Sequence, residues 1–259
     1  MRYRASFLAL AVLVFGFPTV AQDIAPGDRQ SGANFMSAEL QAMQRDDTAN
    51  PVMLWVQEGE AAWQAAPTTG KPACSGCHGD ATKSMRGVAA RYPAYDEKSH
   101  APVDLEERIN ICRTDHQNAT PLAWESPEML ALSSYIALQA RGMPVTVANP
   151  NGLRPFSERG NALFHQRQGQ LNLSCAACHD SNWGKRLASS PIPQAHANAY
   201  PIYRLEWQGM GSLQRRLRNC MIGMRAEPFA YGSDENRALE IYLAERAVGM
   251  PMESPGIRP

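Results

Sequence analysis

A chain that carries one ordered series of residues twice is bound to fold as two related units, and this sequence of 259 residues does so. At an offset of 101, Gly59, Trp63, Cys74, Cys77 and His78 align with Gly160, Phe164, Cys175, Cys178 and His179. At 108, Tyr92-Pro93-Ala94-Tyr95 meets Tyr200-Pro201-Ile202-Tyr203, and Leu105, Arg108 and Cys112 meet Leu213, Arg216 and Cys220. At 107, Tyr135, Ala137, Ala140, Gly142, Met143 and Pro144 meet Tyr242, Ala244, Ala247, Gly249, Met250 and Pro251. A single match of this kind arises by chance; an ordered series does not.

Within each copy stands one motif with a specific chemistry. Cys74-Ser75-Gly76-Cys77-His78 and Cys175-Ala176-Ala177-Cys178-His179 both read C-x-x-C-H, in which two thiols form thioethers to a haem and the adjoining imidazole ligates its iron. Two covalently bound c-type haems are therefore expected, with His78 and His179 as proximal ligands. The rest reads as helix. Glu128 to Arg141 and Glu235 to Val248 are rich in helix formers and each ends at Gly-Met-Pro, a stop followed by a breaker. Tyr135 and Tyr242 are expected to pack on the helices that carry Gly59 and Gly160, as in the small c-type cytochromes that this pattern resembles. The expected fold is all-α: two tandem class I-like cytochrome c domains related by internal duplication, with an N-terminal extension.

Domain limits follow. Residues 1–21 read as a secretory signal peptide, with Arg2 and Arg4 ahead of an apolar run from Phe7 to Phe17 and small residues before Gln22. That run is shorter than the ~20 residues of a spanning helix, so cleavage is expected and no membrane span remains. Residues 22–150 form the extension and first domain, and 151–259 the second domain. Asn149-Pro150-Asn151-Gly152 is the natural linker. Between Asp23 and Val56 nothing has a counterpart in the second copy, though Ser37 has the character of a helix cap. The 25 Lys+Arg balance 25 Asp+Glu, which excludes a general attraction to nucleic acid; the processed chain carries 23 against 25. Given the signal segment, export from the cytoplasm is therefore expected.

Of six cysteines, four belong to the motifs, leaving Cys112 and Cys220. An oxidising compartment either pairs such thiols or gives them to a metal. Equivalent positions in duplicated domains face equivalent features, so distal ligation of each iron is favoured over a Cys112–Cys220 disulfide. The other distal candidates are Met129, Met143, Met210, Met221, Met224 and Met250. His100, His116, His165 and His196 have no matched partner and read as core or surface. The surroundings of the two cysteines differ. Leu105 to Cys112 holds Glu106, Glu107 and Arg108, whereas Leu213 to Cys220 holds Arg215, Arg216 and Arg218. On a helix, Arg216 lies one turn before Cys220 on the same face, and Arg225 follows, so an anion site is expected there.

Two C-x-x-C-H motifs, an extra cysteine in each half, and Arg-Leu-Arg-Asn-Cys followed by Met-Arg-Ala-Glu-Pro-Phe resemble the SoxA family, from about Trp55 to the C-terminus. The resemblance implies His/Cys ligation at both irons, a SoxX cytochrome partner, an electron-acceptor cytochrome and L-cysteine S-thiosulfotransferase activity. In that reaction thiosulfate is joined oxidatively to a cysteine of the SoxYZ carrier while two electrons leave through haem. It further implies that Cys220 is the catalytic ligand, that it is carried as a persulfide, and that Arg216 binds substrate. A thiosulfate dehydrogenase forming tetrathionate and a plain dihaem electron-transfer cytochrome are the alternatives.

Overall fold

The computed structural model describes residues 24–147 and 150–259. The expected signal segment and Asn149 lie outside the described residues. The N-terminal extension contributes helix α1 (Ala38–Arg45), whose first turn is capped by the Ser37 hydroxyl accepting from Leu40 N. The first copy then runs α2 (Val52–Gln64), α3 (Cys74–His78), α4 (Ala81–Ser84), a hairpin of β1 (Ala94–Asp96) and β2 (Ala101–Val103), α5 (Leu105–Gln117) and α6 (Pro127–Leu138). The second runs α7 (Pro150–His165), α8 (Cys175–His179), a short β3–β4 hairpin (Arg186–Leu187 and Ser190–Pro191), β5 (Ile202–Arg204), β6 (Gly209–Gly211), α9 (Leu213–Gly223) and α10 (Asp234–Arg246). A last strand, β7 (Gly256–Arg258), pairs parallel with β5, giving the order β6-β5-β7.

The chain is thus mostly helical, and its elements recur at the offsets read from the sequence. The short strands are the departure from the all-helical expectation. They are too brief to show a period of two, and hydrogen bonding with a partner, not side-chain pattern, creates them. The linker differs as well: Pro150, Asn151 and Gly152 open α7 instead of forming a loop, since proline is tolerated in a helix's first turn where no N–H partner is needed.

Each copy is built on one helix crossing. A Cβ placed on Gly59 would lie 2.8 Å from Tyr135 Cβ and one on Gly160 2.8 Å from Tyr242 Cβ, each also pressing on a backbone carbonyl, of Ala131 or Ala238. Glycine is required because the backbones of α2 and α6, and of α7 and α10, meet directly. Trp63 then packs on Tyr135 and Phe164 on Tyr242, with ring centroids 6.1 and 5.2 Å apart, all four buried. Burying one such side chain contributes on the order of 1.5–3 kcal/mol. Matched caps start the later helices. Ser126 and Ser233 accept from Met129 N and Asn236 N, while Asp104 and Ser212 accept from Glu107 N and Arg215 N.

The two Gly-Met-Pro stops also join the copies. Gly142 and Gly249 take positive φ of 79° and 85°, turning the chain so that Gly142 N donates to Met252 O and Val145 N to Met250 O, both at 2.8 Å. Met252 N returns a bond to Met143 O at 2.8 Å. The core of the first copy accordingly continues into the second through Met210, Ala247, Met252 and Ile257.

Candidate active site

In the second copy α8 presents both motif thiols within one turn, its start capped by the Ser174 hydroxyl. His179 Nδ1 lies 2.7 Å from the carbonyl oxygen of Pro193. A carbonyl only accepts, so Nδ1 carries the proton and Nε2 is left with a lone pair to offer a metal. Cys220, on α9, reaches the same ring and forms a hydrogen-bonded contact with His179. Cys175 and Cys178 both sense its charge. The four sulfur and nitrogen donors therefore converge. Of these, His179 and Cys220 border a recess of about 920 Å³, open solvent included, with Leu213, Leu217 and Leu243 among its apolar lining. Two thiols on one turn, an oriented imidazole and a facing thiol beside an apolar slot fit a c-type haem.

Arg216 completes the site one turn before Cys220, as helical spacing dictates, and lines the recess. Among the described residues no hydrogen bond or ion pair holds its guanidinium. Burial opposes its charge, but Cys220, Tyr200 and Glu206 more than offset this and raise its proton affinity. Burial also works against a Cys220 thiolate. Arg216, the His179 contact and Arg204 outweigh it and bring the thiol down to about 7.

The first copy has the same parts in a different electrical setting. Cys112, on α5, lies near Cys77 and Cys74, so it faces its own motif as Cys220 does. None of the six cysteines is in a disulfide. The Cys112 thiol is pushed up by burial, which Arg108 offsets only in part. Arg108 is tied to Asp96 at 2.5 Å and holds that carboxyl down at about 2, with the two Ser99 hydrogen bonds assisting. Trp63 stacks near His78, with ring centroids 5.7 Å apart, and sends its indole N–H to Gly79 O. Among the described residues His78 has no carbonyl partner like that of His179.

Of the cationic residues expected to assist, three lie elsewhere. Arg215 stacks on Trp207 at 4.3 Å and donates to Met210 O at 2.9 Å. Arg218 donates to Phe229 O and covers Tyr231. Arg225 is exposed. Residues one or two positions from the Arg216–Cys220 pair leave the helix in other directions, and Arg225 lies beyond the end of α9 at Gly223, which is why the charge run did not become one cluster. The methionines named from the sequence stay out of the recess; Met129, Met210, Met221 and Met224 are core. His196 borders it, but its Nε2 is engaged with Gln194 Oε1 at 3.0 Å.

The sequence reading missed several contributors. Arg204, from β5, and Arg258, from β7, both line the recess, as do Phe35 and Met36 of the N-terminal extension. Arg204 had a signal, since Tyr200-Pro-Ile-Tyr-Arg aligns with Tyr92-Pro-Ala-Tyr-Asp and the charge reverses at the last position. Phe35 and Met36 had none. They belong to a segment without a copy, held in place by Gln44 accepting from Ile257 N and Arg258 Nη1 and by Gln194 accepting from Gln30 N.

The model of the SoxA/TsdA cytochrome c domain matches twice, at residues 58–145 and 159–252. L-cysteine S-thiosulfotransferase subunit SoxA of Pseudaminobacter salicylatoxidans is 38% identical over 229 residues, covering 88% of this chain and 80% of that protein. Its counterpart from Paracoccus pantotrophus is 35% identical over 88% of this chain and 78% of the relative. The crystal structure of SoxXA from P. pantotrophus superposes with a TM-score of 0.85 at 35% identity, covering 89% of this chain and 87% of that one. Two matched cytochrome c domains, each with an extra cysteine turned toward its own motif, and identity sustained over most of the length establish that this chain belongs to the SoxA family.

Proposed function

We propose that this chain is the SoxA subunit of an L-cysteine S-thiosulfotransferase, with the second copy as its catalytic domain. One observation carries the reading: the Cys220 sulfur sits beside His179 and next to a guanidinium, Arg216, that no carboxylate bridges. In the reaction a carrier thiol and thiosulfate become a carrier S-thiosulfonate, with one sulfur–sulfur bond formed and one proton and two electrons released. The SoxYZ carrier supplies the thiol, and an acceptor cytochrome takes the electrons.

Cys74, Cys77, His78 and Cys112 would hold one c-type haem and Cys175, Cys178, His179 and Cys220 a second, and these would supply the electron acceptor when bound. Arg216 holds the dianion and turns its outer sulfur toward Cys220. The apolar wall of Leu213, Leu217 and Leu243 keeps water from the charges, which strengthens their attraction. In the first copy Arg108 is neutralised by Asp96, so Cys112 serves as a ligand and takes no part in substrate binding. Residues 1–21 direct the chain to the periplasm and are removed, leaving units 22–150 and 151–259. Among the described residues no helix is long and apolar enough to cross a membrane. The likeness to the SoxXA structure supports a SoxX partner.

Arg216→Met in the SoxX-bound holoprotein tests the assignment. Losing one charge-assisted hydrogen bond, about 1.5–3 kcal/mol, lowers kcat/KM for thiosulfate by roughly 10- to 150-fold with the haem spectrum intact. Undiminished carrier-dependent turnover removes Arg216 from the mechanism. Tetrathionate formed by the wild type without carrier moves the chain to the thiosulfate dehydrogenase reaction, and mass spectrometry of the Cys220 peptide reads any added sulfur directly.

A further inference from the structure

At the offset that aligns the two extra cysteines, Asp96 stands where the second copy has Arg204. Both close the first strand of their hairpin, and both face the arginine one turn before the cysteine. In the first copy the outcome is an ion pair, Arg108 to Asp96 at 2.5 Å, with the carboxylate side chain only 13% exposed. In the second copy Arg204 and Arg216 border one recess, which Arg258, held by Gln44 and Glu253, also lines, and the charge of Arg216 adds to burial in weakening Arg204's hold on its proton. Two like charges kept together away from water cost free energy, which the largely exposed Glu206 carboxylate offsets from one side and an anion between them would offset further.

The Arg204 side chain is 8% exposed. Its Nη2 donates to Glu206 at 2.8 Å, a carboxylate that is itself 59% exposed, and the Trp207 ring lies 5.3 Å from its guanidinium carbon. Arg204 Nε is buried with no acceptor among the described residues. Buried N–H groups nearly always have a partner, and the arginine fork is shaped for tetrahedral and carboxylate oxyanions. Neither the SoxA likeness nor the C-x-x-C-H motif accounts for a buried guanidinium Nε–H left without an acceptor at this position.

The geometry points to Arg204 as the second half of a two-guanidinium clamp that, with Arg216, takes the sulfonate end of thiosulfate, and to the Asp-for-Arg exchange as what denies the first copy the same ligand. This rests on the functional reading above and deepens it. Arg216 is anchored on α9 with Cys220, whereas Arg204 comes from β5, so the clamp grips the anion from two elements and fixes which sulfur approaches Cys220. In the first copy Asp96 occupies the equivalent place and already satisfies Arg108, leaving no net positive charge for a dianion.

The test is Arg204→Gln in the SoxX-bound holoprotein, assayed with carrier and by calorimetric titration with thiosulfate. The expected result is a rise in KM of roughly 10- to 100-fold, the span of one lost charge-assisted hydrogen bond, with kcat at saturation within about threefold. The dissociation constant for thiosulfate rises in parallel, while the Soret band and haem reduction potentials stay at wild-type values. Arg204→Lys keeps the charge without the fork and recovers part of the loss. A KM and dissociation constant within about twofold of wild type overturn the clamp, and a shifted haem potential alongside them assigns Arg204 to the porphyrin carboxylates. If Arg204→Gln does not fold, Arg204→Lys decides alone: wild-type affinity in that variant overturns the proposal, and weakened affinity supports it. Wild-type protein that binds thiosulfate but forms no carrier product defeats the functional reading and leaves the clamp to the titration.

Discussion

Gly160→Ala places a methyl group where α7 and α10 touch backbone to backbone. The new Cβ falls 2.8 Å from Tyr242 Cβ, about 0.6 Å inside ordinary contact at 3.4 Å, and closer still to the Ala238 carbonyl. Neither obstacle is the end of a flexible side chain, so the helices must separate. Alanine favours a helix over glycine by about 1 kcal/mol, which opposes the loss. Overpacking of this kind costs about 1–3 kcal/mol, and more where backbone resists. The net expectation is destabilisation of about 2 kcal/mol. For a chain of this size that lowers Tm by about 4–8 °C. Phe164 and Tyr242 pack across the same crossing, and Phe164 lies beside the His179 ring at 6.4 Å, so a weakened Soret shoulder accompanies the shift. Gly223→Ala is the control. It is the last residue of α9 with nothing within 4 Å of an added Cβ, and it is expected to leave Tm equal or slightly higher. Thermal melts of the holoproteins by circular dichroism decide the matter. A Gly160→Ala variant as stable as Gly223→Ala would refute the close crossing as the reason for the repeated glycine.

Other perturbations probe the seam and the thiols. Gln214 donates to Asp104 and Glu240 at 3.1 Å each, and burial holds both carboxyls above their usual range, Asp104 at about 6 and Glu240 well above the ordinary carboxyl value, with Glu107 adding to the effect and Arg237 opposing it at Asp104, and Asp104 and Glu106 adding to it at Glu240. Raised carboxyl values mean that their stabilisation is complete at low pH and lost as pH rises through the folded values. Glu240→Gln is therefore expected to be more stable than wild type at pH 8, with the gap closing toward pH 5. Comparing the two proteins removes the opposite contribution of His196, which burial and nearby cations depress to about 4. Asp180→Ala removes one of Arg246's partners, a pair at 2.5 Å with side chains 1% and 7% exposed, and denaturant unfolding is expected to show a loss of about 1.5–3 kcal/mol, the span of one hydrogen bond to a charged group. Peptide mapping without reduction should recover Cys112 and Cys220 unlinked, and a Cys112–Cys220 peptide would show that the copies pack differently.

The duplication was legible because it lies in the order of residues. Gly59 and Gly160, the paired tyrosines, the serine caps and the Gly-Met-Pro stops all act through contacts within a few turns or through a repeat that displays itself twice. Arg216 and Cys220 were found for the same reason, since a spacing of four on a helix is a local rule. The basic run around them misled, because charge listed along a helix says nothing of which residues already have partners. Arg215 and Arg218 are spent on Met210, Trp207, Phe229 and Tyr231, all contacts set by the folded chain.

By itself the sequence determined two cytochrome units, the residues able to carry a haem in each, and a thiol at matched depth. Tertiary structure alone decided how the copies differ. Strand β5 brings Arg204 to Arg216, the corresponding strand brings Asp96 to Arg108, and an unrepeated N-terminal segment lays Phe35 and Met36 along one recess. Spacing along a helix or within a repeat fixes neighbours in advance. Charge compensation and cavity walls are settled only when distant segments meet in three dimensions.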